Sequence, residues 1–223
     1  RYGQLHIPDG LMAPAIWALG WIVAVIFVAI AVIRVNKNFD ERMVPFMAIL
    51  AAGIFVAQML NFPIVGGTTG HLVGAALATV LLGPWAAILI ITVILIIQGF
   101  VFGDGGITAL GLNILNMAIV GSLSAYLVMR VTPKKFKYPG IFLAGWLSVF
   151  FAATACALQL AASFAIDPSF GIEGSVSIPA MMTTHAIIGV GEAIITVGIV
   201  AFLEKVAPEM MTMAEVWKKE AVT

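Results

Sequence analysis

The chain has 223 residues and no net charge at pH 7; 62% of it is hydrophobic and only 10% charged. A soluble domain needs roughly a quarter charged residues to face water, so this inventory excludes an aqueous globular surface, and a mean hydropathy of +1.11 points to a bilayer. Balanced charge gives no footing for nucleic acid, and a single cysteine, Cys156 in an apolar run, excludes a disulfide framework or a cysteine-based zinc cluster.

A helix needs about 20 apolar residues to cross a bilayer, and the chain divides on that basis. The first expected span is Ala13 to Ile33, closed by the polar cluster from Arg34 to Arg42. Val44 to Leu60 is the second, stopping at Asn61-Phe62-Pro63. After a Gly- and Thr-rich stretch, His71 to Leu82 is apolar but short, closer to a re-entrant helix than to a full span. Trp85 to Phe102, Ile107 to Met129, Gly140 to Ile166 and Ile178 to Leu203 complete a set of seven. The expected fold is an all-α membrane protein: a segment over 1–12, a helical domain over 13–204 and a cytoplasmic tail over 205–223.

Charge sidedness supports the count. With seven elements and an external N-terminus, the inner segments hold Arg34, Lys37, Arg42, Arg130, Lys134, Lys135, Lys137, Lys205, Lys218 and Lys219, ten of the eleven basic residues. Lys and Arg collect on the cytoplasmic side. A six-span count that skips the short element would put Arg34 to Arg42 and Arg130 to Lys137 on opposite faces, so seven is the consistent solution.

Three histidines carry the candidate chemistry. His6, in Leu-His-Ile-Pro-Asp-Gly, precedes the first span; His71 follows Gly66-Gly67-Thr68-Thr69-Gly70 and opens the short element. Both fall at the outer face, where imidazoles could hold nickel, copper, zinc or cobalt. The plainer alternative leaves His6 on the surface and His71 bonded to a local carbonyl at a helix start. His185 and Glu192 are seven apart, on one helix face. Ionisable groups in a span face the bundle interior or a polar path, so this pair is either a substrate or proton path or a contact that locks packing. Asn113, Asn116 and Gln98 read the same way. Gly189, Gly191 and Gly198 would let a neighbouring helix come close, and Asp104 in Gly-Asp-Gly-Gly reads as a turn residue capping the fifth helix.

Taken together, His6-Ile7-Pro8-Asp9-Gly10, Pro63 to His71, Leu82-Gly83-Pro84-Trp85-Ala86, Gln98 to Gly106 and His185 to Glu192 resemble the CbiM/NikM family. These are the substrate-binding membrane components of energy-coupling-factor transporters for cobalt and nickel. The resemblance runs from residue 5 to about 205. It implies a near-planar set of nitrogen donors: an N-terminal amine, the amide nitrogen and imidazole of the next histidine, and the imidazole after the Gly-Gly-Thr motif. Carried over, His6 gives two nitrogens and His71 a third, a set suited to nickel(II) or copper(II), with cobalt(II) compatible. Because the metal must replace an amide proton, binding should weaken steeply in acid. Asn61, Thr68, Thr69, Asn113, Asn116, His185 and Glu192 are then the polar groups expected behind the ligands or along a path.

The sequence departs from that pattern at its start, for Leu5 precedes His6 and Arg1 to Gln4 precede Leu5. Arg1 in place of methionine points to a processed, truncated or misassigned start, and Arg1 to Gly10 has no signal-peptide character. The expectation is a mature chain beginning at residue 5, whose amine would be the fourth donor. Neither a Gly-x-x-x-x-Gly-Lys-Ser/Thr loop nor a His-Glu-x-x-His motif occurs. The chain is therefore expected to be a transport subunit rather than an enzyme, without a resident cofactor and with Co2+ or Ni2+ as its cargo. By the same resemblance, its partners in the cell membrane would be a transmembrane coupling subunit, two ATPase subunits and a small accessory membrane protein. Gly70 before His71 resembles the cobalt-type members. The rival reading is a proton-coupled secondary carrier using His185 and Glu192 as a relay.

Overall fold

The computed structural model describes residues 5–37, 41, 43–60, 62–64 and 68–208. Its architecture is a bundle of helices with one small hairpin. In chain order these are α1 (Pro14–Lys37), α2 (Met43–Met59), the antiparallel strands β1 (Phe62–Ile64) and β2 (Thr68–Gly70), and α3 (Ala75–Leu82). Then follow α4 (Pro84–Phe102), α5 (Leu110–Val131), a short 3-10 turn at Lys134–Phe136, α6 (Lys137–Ile166) and α7 (Gly174–Val206). Five of these, α1 and α4 to α7, are long and apolar enough to cross a membrane, and the apolar α2 is somewhat shorter. The seven helical elements expected from hydropathy are present among the described residues, and the hairpin is the one addition to an otherwise all-helical fold. The chain is a multi-pass membrane protein.

Burial is distributed as a lipid solvent requires. Along α1 only Gly20, Ala24, Ala31 and Val35 are buried, while Leu19, Ile22, Val25, Ile26 and Ile33 stand outward. Outward apolar side chains are normal where the surroundings are hydrocarbon. The opposite extreme is α3, in which all eight residues are buried. It is the axis around which the longer helices pack.

Helix pairs approach where side chains are small. A Cβ on Gly145 would lie 2.9 Å from the Ala193 backbone, and one on Gly189 would lie 2.9 Å from the Trp146 ring, so α6 and α7 meet without intervening side chains. That is how helices gain contact in lipid, where burial from water supplies no drive. Gly191 and Gly198 have no such neighbour, which leaves Gly189 as the packing glycine of the three. At the basic end, the Arg34 guanidinium lies 5.8 Å from the Trp85 ring centre. Lys137 and Tyr138 both donate to Glu204 there, joining the start of α6 to the end of α7. By the positive-inside rule this end is cytoplasmic.

Sequence and structure differ at the third element. The helix begins at Ala75 rather than at His71, and residues 71–74 form a non-helical strap leading into it. Gly74 explains the break: its φ of +76° is left-handed, a conformation open to glycine and costly to a residue with a Cβ. Helices α3 and α4 are separated by Gly83 alone, and Pro84 starts α4 where a missing N–H costs nothing.

Candidate metal centre

The N-terminal segment is threaded into the outer end of the bundle. Leu5, His6, Ile7 and Met12 are all buried, although the segment has no helical or strand hydrogen bonds of its own. Side chains and loops supply partners instead, as buried backbone requires. The Ile7 N–H donates to Asn113 Oδ1 at 2.9 Å, and the Ile7 carbonyl accepts from Asn113 Nδ2 at 3.2 Å and from the Gly106 N–H at 2.8 Å. Further on, Ala13 N–H donates to Ser163 Oγ, and Gly171 N–H donates to the Leu11 carbonyl. Gly106 must be glycine for the loop to close on this segment, because a Cβ there would come within 2.6 Å of the Pro8 carbonyl carbon.

Asp9, rather than Asp104, ties down the turn that leads into α5. Its carboxylate accepts from the N–H groups of Ile107 and Thr108 at 3.1 and 2.7 Å and from the Thr108 hydroxyl at 2.6 Å. The Thr108 hydroxyl, with these amides, holds the Asp9 carboxyl below the ordinary range. Asp104 does not cap α5. Its carbonyl and carboxylate oxygens both lie 3.4 Å from His6 Nδ1.

The two outer histidines come together as expected. Their ring centres are 4.8 Å apart at an interplanar angle of 83°. His71 Nδ1 donates to the Leu72 carbonyl at 2.8 Å, the local bond that the plainer alternative foresaw, and this leaves Nε2 as the lone-pair nitrogen. On His6, Nε2 is buried and has no partner among the described residues. An unsatisfied buried nitrogen of this kind asks for a ligand or an ion. Burial, then the neighbouring His71, pushes the His6 pKa down to about 4 against the opposing pull of Asp104. The imidazole is therefore neutral at pH 7, the form that binds metal. Among the described residues no three His, Cys, Asp or Glu side chains cluster to hold an ion.

The other expected polar residues divide. Asn113 stands directly behind His6 through Ile7. His185 binds the Met181 carbonyl of its own helix at 2.8 Å. Glu192 accepts from the backbone N–H groups of Val73 and Gly74. Asn116 exchanges two amide hydrogen bonds with Gln159, at 2.8 and 2.7 Å, and so joins α5 to α6 rather than to the histidines. Thr68 and Thr69 lie in β2 opposite Ile64 and Pro63, and Asn61 lies outside the described residues. Gln58 and Gln159 were not singled out from the sequence. A glutamine inside an apolar span is the same signal that marked Gln98, and it would have found both.

The cobalt uptake substrate-specific transmembrane region, CbiM, matches residues 6–210. The chain is 40% identical to a putative fused nickel transport protein NikMN of Archaeoglobus fulgidus, over 93% of this chain and 68% of that protein. It is 37% identical to a putative metal transport protein of Haloquadratum walsbyi over 93% of each, and 30% identical to the cobalt transport protein CbiM of Sorangium cellulosum over 95% of this chain and 96% of that one. Crystal structures of a transition metal transporter and of a truncated form superpose with TM-scores of 0.84 and 0.83, both at 38% identity. They cover 93% and 90% of this chain and 96% and 98% of their own. With its paired histidines, its helical frame and a match over nearly its whole length, the chain belongs to the CbiM family of cobalt-uptake substrate-specific transmembrane proteins.

Proposed function

We propose that this chain is the metal-capturing subunit of an ATP-driven energy-coupling-factor uptake system for cobalt or nickel. The observation that carries the reading is the edge-to-face pair of His6 and His71 at the outer end of the bundle. Two neutral imidazoles and backbone nitrogen form a donor set for a tetragonal ion. A histidine that also binds through its own amide closes a chelate ring through Nδ1, so a metal entering here would displace Asp104 from that atom. The amine of Leu5 is the fourth donor where the mature chain begins at that residue.

The relatives named for nickel and for cobalt favour neither ion, and the donors serve both. ATP hydrolysis falls to two ATPase subunits joined through a transmembrane coupling subunit, with a small accessory membrane protein. The carrier alternative has less support: His185 and Glu192 are both occupied by backbone groups, whereas a relay needs a polar group free to pass a proton on.

The test is metal uptake by cells expressing this chain with and without its neighbouring ATPase and coupling genes, beside metal binding to the purified chain. Binding by the chain alone and uptake only with the ATPase are expected. Uptake that persists without the ATPase and follows the proton gradient would favour the carrier.

A further inference from the structure

The carboxylate of Glu192 has no role in the reading above, yet it sits buried in the middle of α7. Both of its oxygens are taken. Oε2 accepts from the Val73 N–H at 2.8 Å and Oε1 from the Gly74 N–H at 2.7 Å. These are the amides immediately before α3, a helix that starts inside the bundle with no capping side chain of its own. The start of a helix leaves N–H groups unpaired and carries partial positive charge. An intramembrane carboxylate needs such partners, so each feature compensates the other.

The same peptide is held from its other side. Gln58 of α2 donates through Nε2 to the Val73 carbonyl at 2.6 Å, and its Oε1 accepts from Gln98 Nε2 of α4 at 2.8 Å. Gly74 is packed against Ile54, where a Cβ would come within 3.0 Å of Ile54 Cγ1. Non-helical backbone inside a membrane protein has to be satisfied this way. His71 stands two residues ahead of Val73 on this strap, and its ring is tied to the Leu72 carbonyl.

We infer that Glu192 and Gln58 are positioning residues for the metal: they clamp the Val73 and Gly74 peptides from α7 and α2 and so set where the His71 imidazole meets His6. The inference rests on His71 being a metal ligand. Glu192 itself stays off the ion. Because the clamp links α2, α4 and α7 to the strap, shifts among those helices reach the ligand directly.

The test is Glu192→Gln in the full chain in lipid nanodiscs, titrated with nickel(II) and cobalt(II) by calorimetry and followed by ligand-field absorption. An amide presents a donor to one of the two N–H groups, so one bond is lost without a change of size. A loss of about 10- to 100-fold in affinity is expected, the range for groups that orient metal ligands, with stoichiometry and absorption bands unchanged. Unchanged affinity with a lower Tm would reduce Glu192 to a packing role and overturn the inference; a changed absorption spectrum would make it a ligand and overturn it too. If Glu192→Gln does not fold, Gln58→Leu carries the same test, and unchanged affinity there likewise overturns it. Failure of the wild-type chain to bind either ion would instead remove the proposed site.

Discussion

His6 and His71 meet edge to face at 4.8 Å, although one precedes the first span and the other follows the second. The ring of His71 is fixed by its own neighbour's carbonyl, whereas His6 is placed through the peptide that follows it. The two histidines are thus held by independent devices, and each can be tested separately.

His71→Ala should abolish tight nickel or cobalt binding, with a loss beyond the roughly 10- to 100-fold typical of groups behind a ligand. His185→Ala should keep most of the affinity, because its Nδ1 is engaged with Met181 in its own helix, and should act on stability or transport. Titration of both purified variants decides, and unchanged affinity in His71→Ala would remove the site.

Acid separates the donors. Because the His6 pKa is pushed down to about 4, first by burial, its imidazole remains neutral while pH falls from 7 to 5. A site made of imidazoles alone would lose little affinity at His6 over that window. A site that includes a deprotonated amide should lose affinity steeply there, one proton being released for each amide bound. Calorimetry in buffers of different ionisation enthalpy counts those protons. The same shift gives a sign for stability: the unfolded chain takes up a proton near pH 6.5 and the folded chain only near 4, so stability is full above 6.5 and falls as pH drops through this window.

Asn113→Leu should lower Tm and metal affinity together. It leaves the buried Ile7 N–H without an acceptor, at a cost of about 1–3 kcal/mol, and loosens the segment next to His6. Thermal unfolding of the metal-free protein measures the first effect and titration the second.

Gly106→Ala should displace the N-terminal segment, since its Cβ would collide with Pro8 and Asp9. Weakened metal binding with the helical circular dichroism intact is the expected result. A variant that binds like the wild type would mean that the loop yields without moving His6.

Much of this was legible in the chain because hydropathy and charge act locally. The runs that form α1, α2 and α4 to α7 announce themselves by length, and the basic residues at one end fix their direction. The short third element also stood out, but its start did not. Hydropathy cannot distinguish a helix from an extended strap of the same apolar residues, and the strap's last two amides find their partner in a carboxylate more than a hundred residues later. The role of Asp9 was hidden for the same reason: only the path of the N-terminal segment brings it to Ile107 and Thr108.

By itself, then, the sequence determined that the chain lies in lipid, how its helices alternate and that His6 and His71 share the outer face. The tertiary structure decided which partner each buried polar group finds. Asn113 reaches Ile7, Gln58 and Glu192 hold Val73, and Asn116 turns away to Gln159. In a low-dielectric interior every such group must find a partner, but which one it finds depends on how far each helix slides and turns against its neighbours.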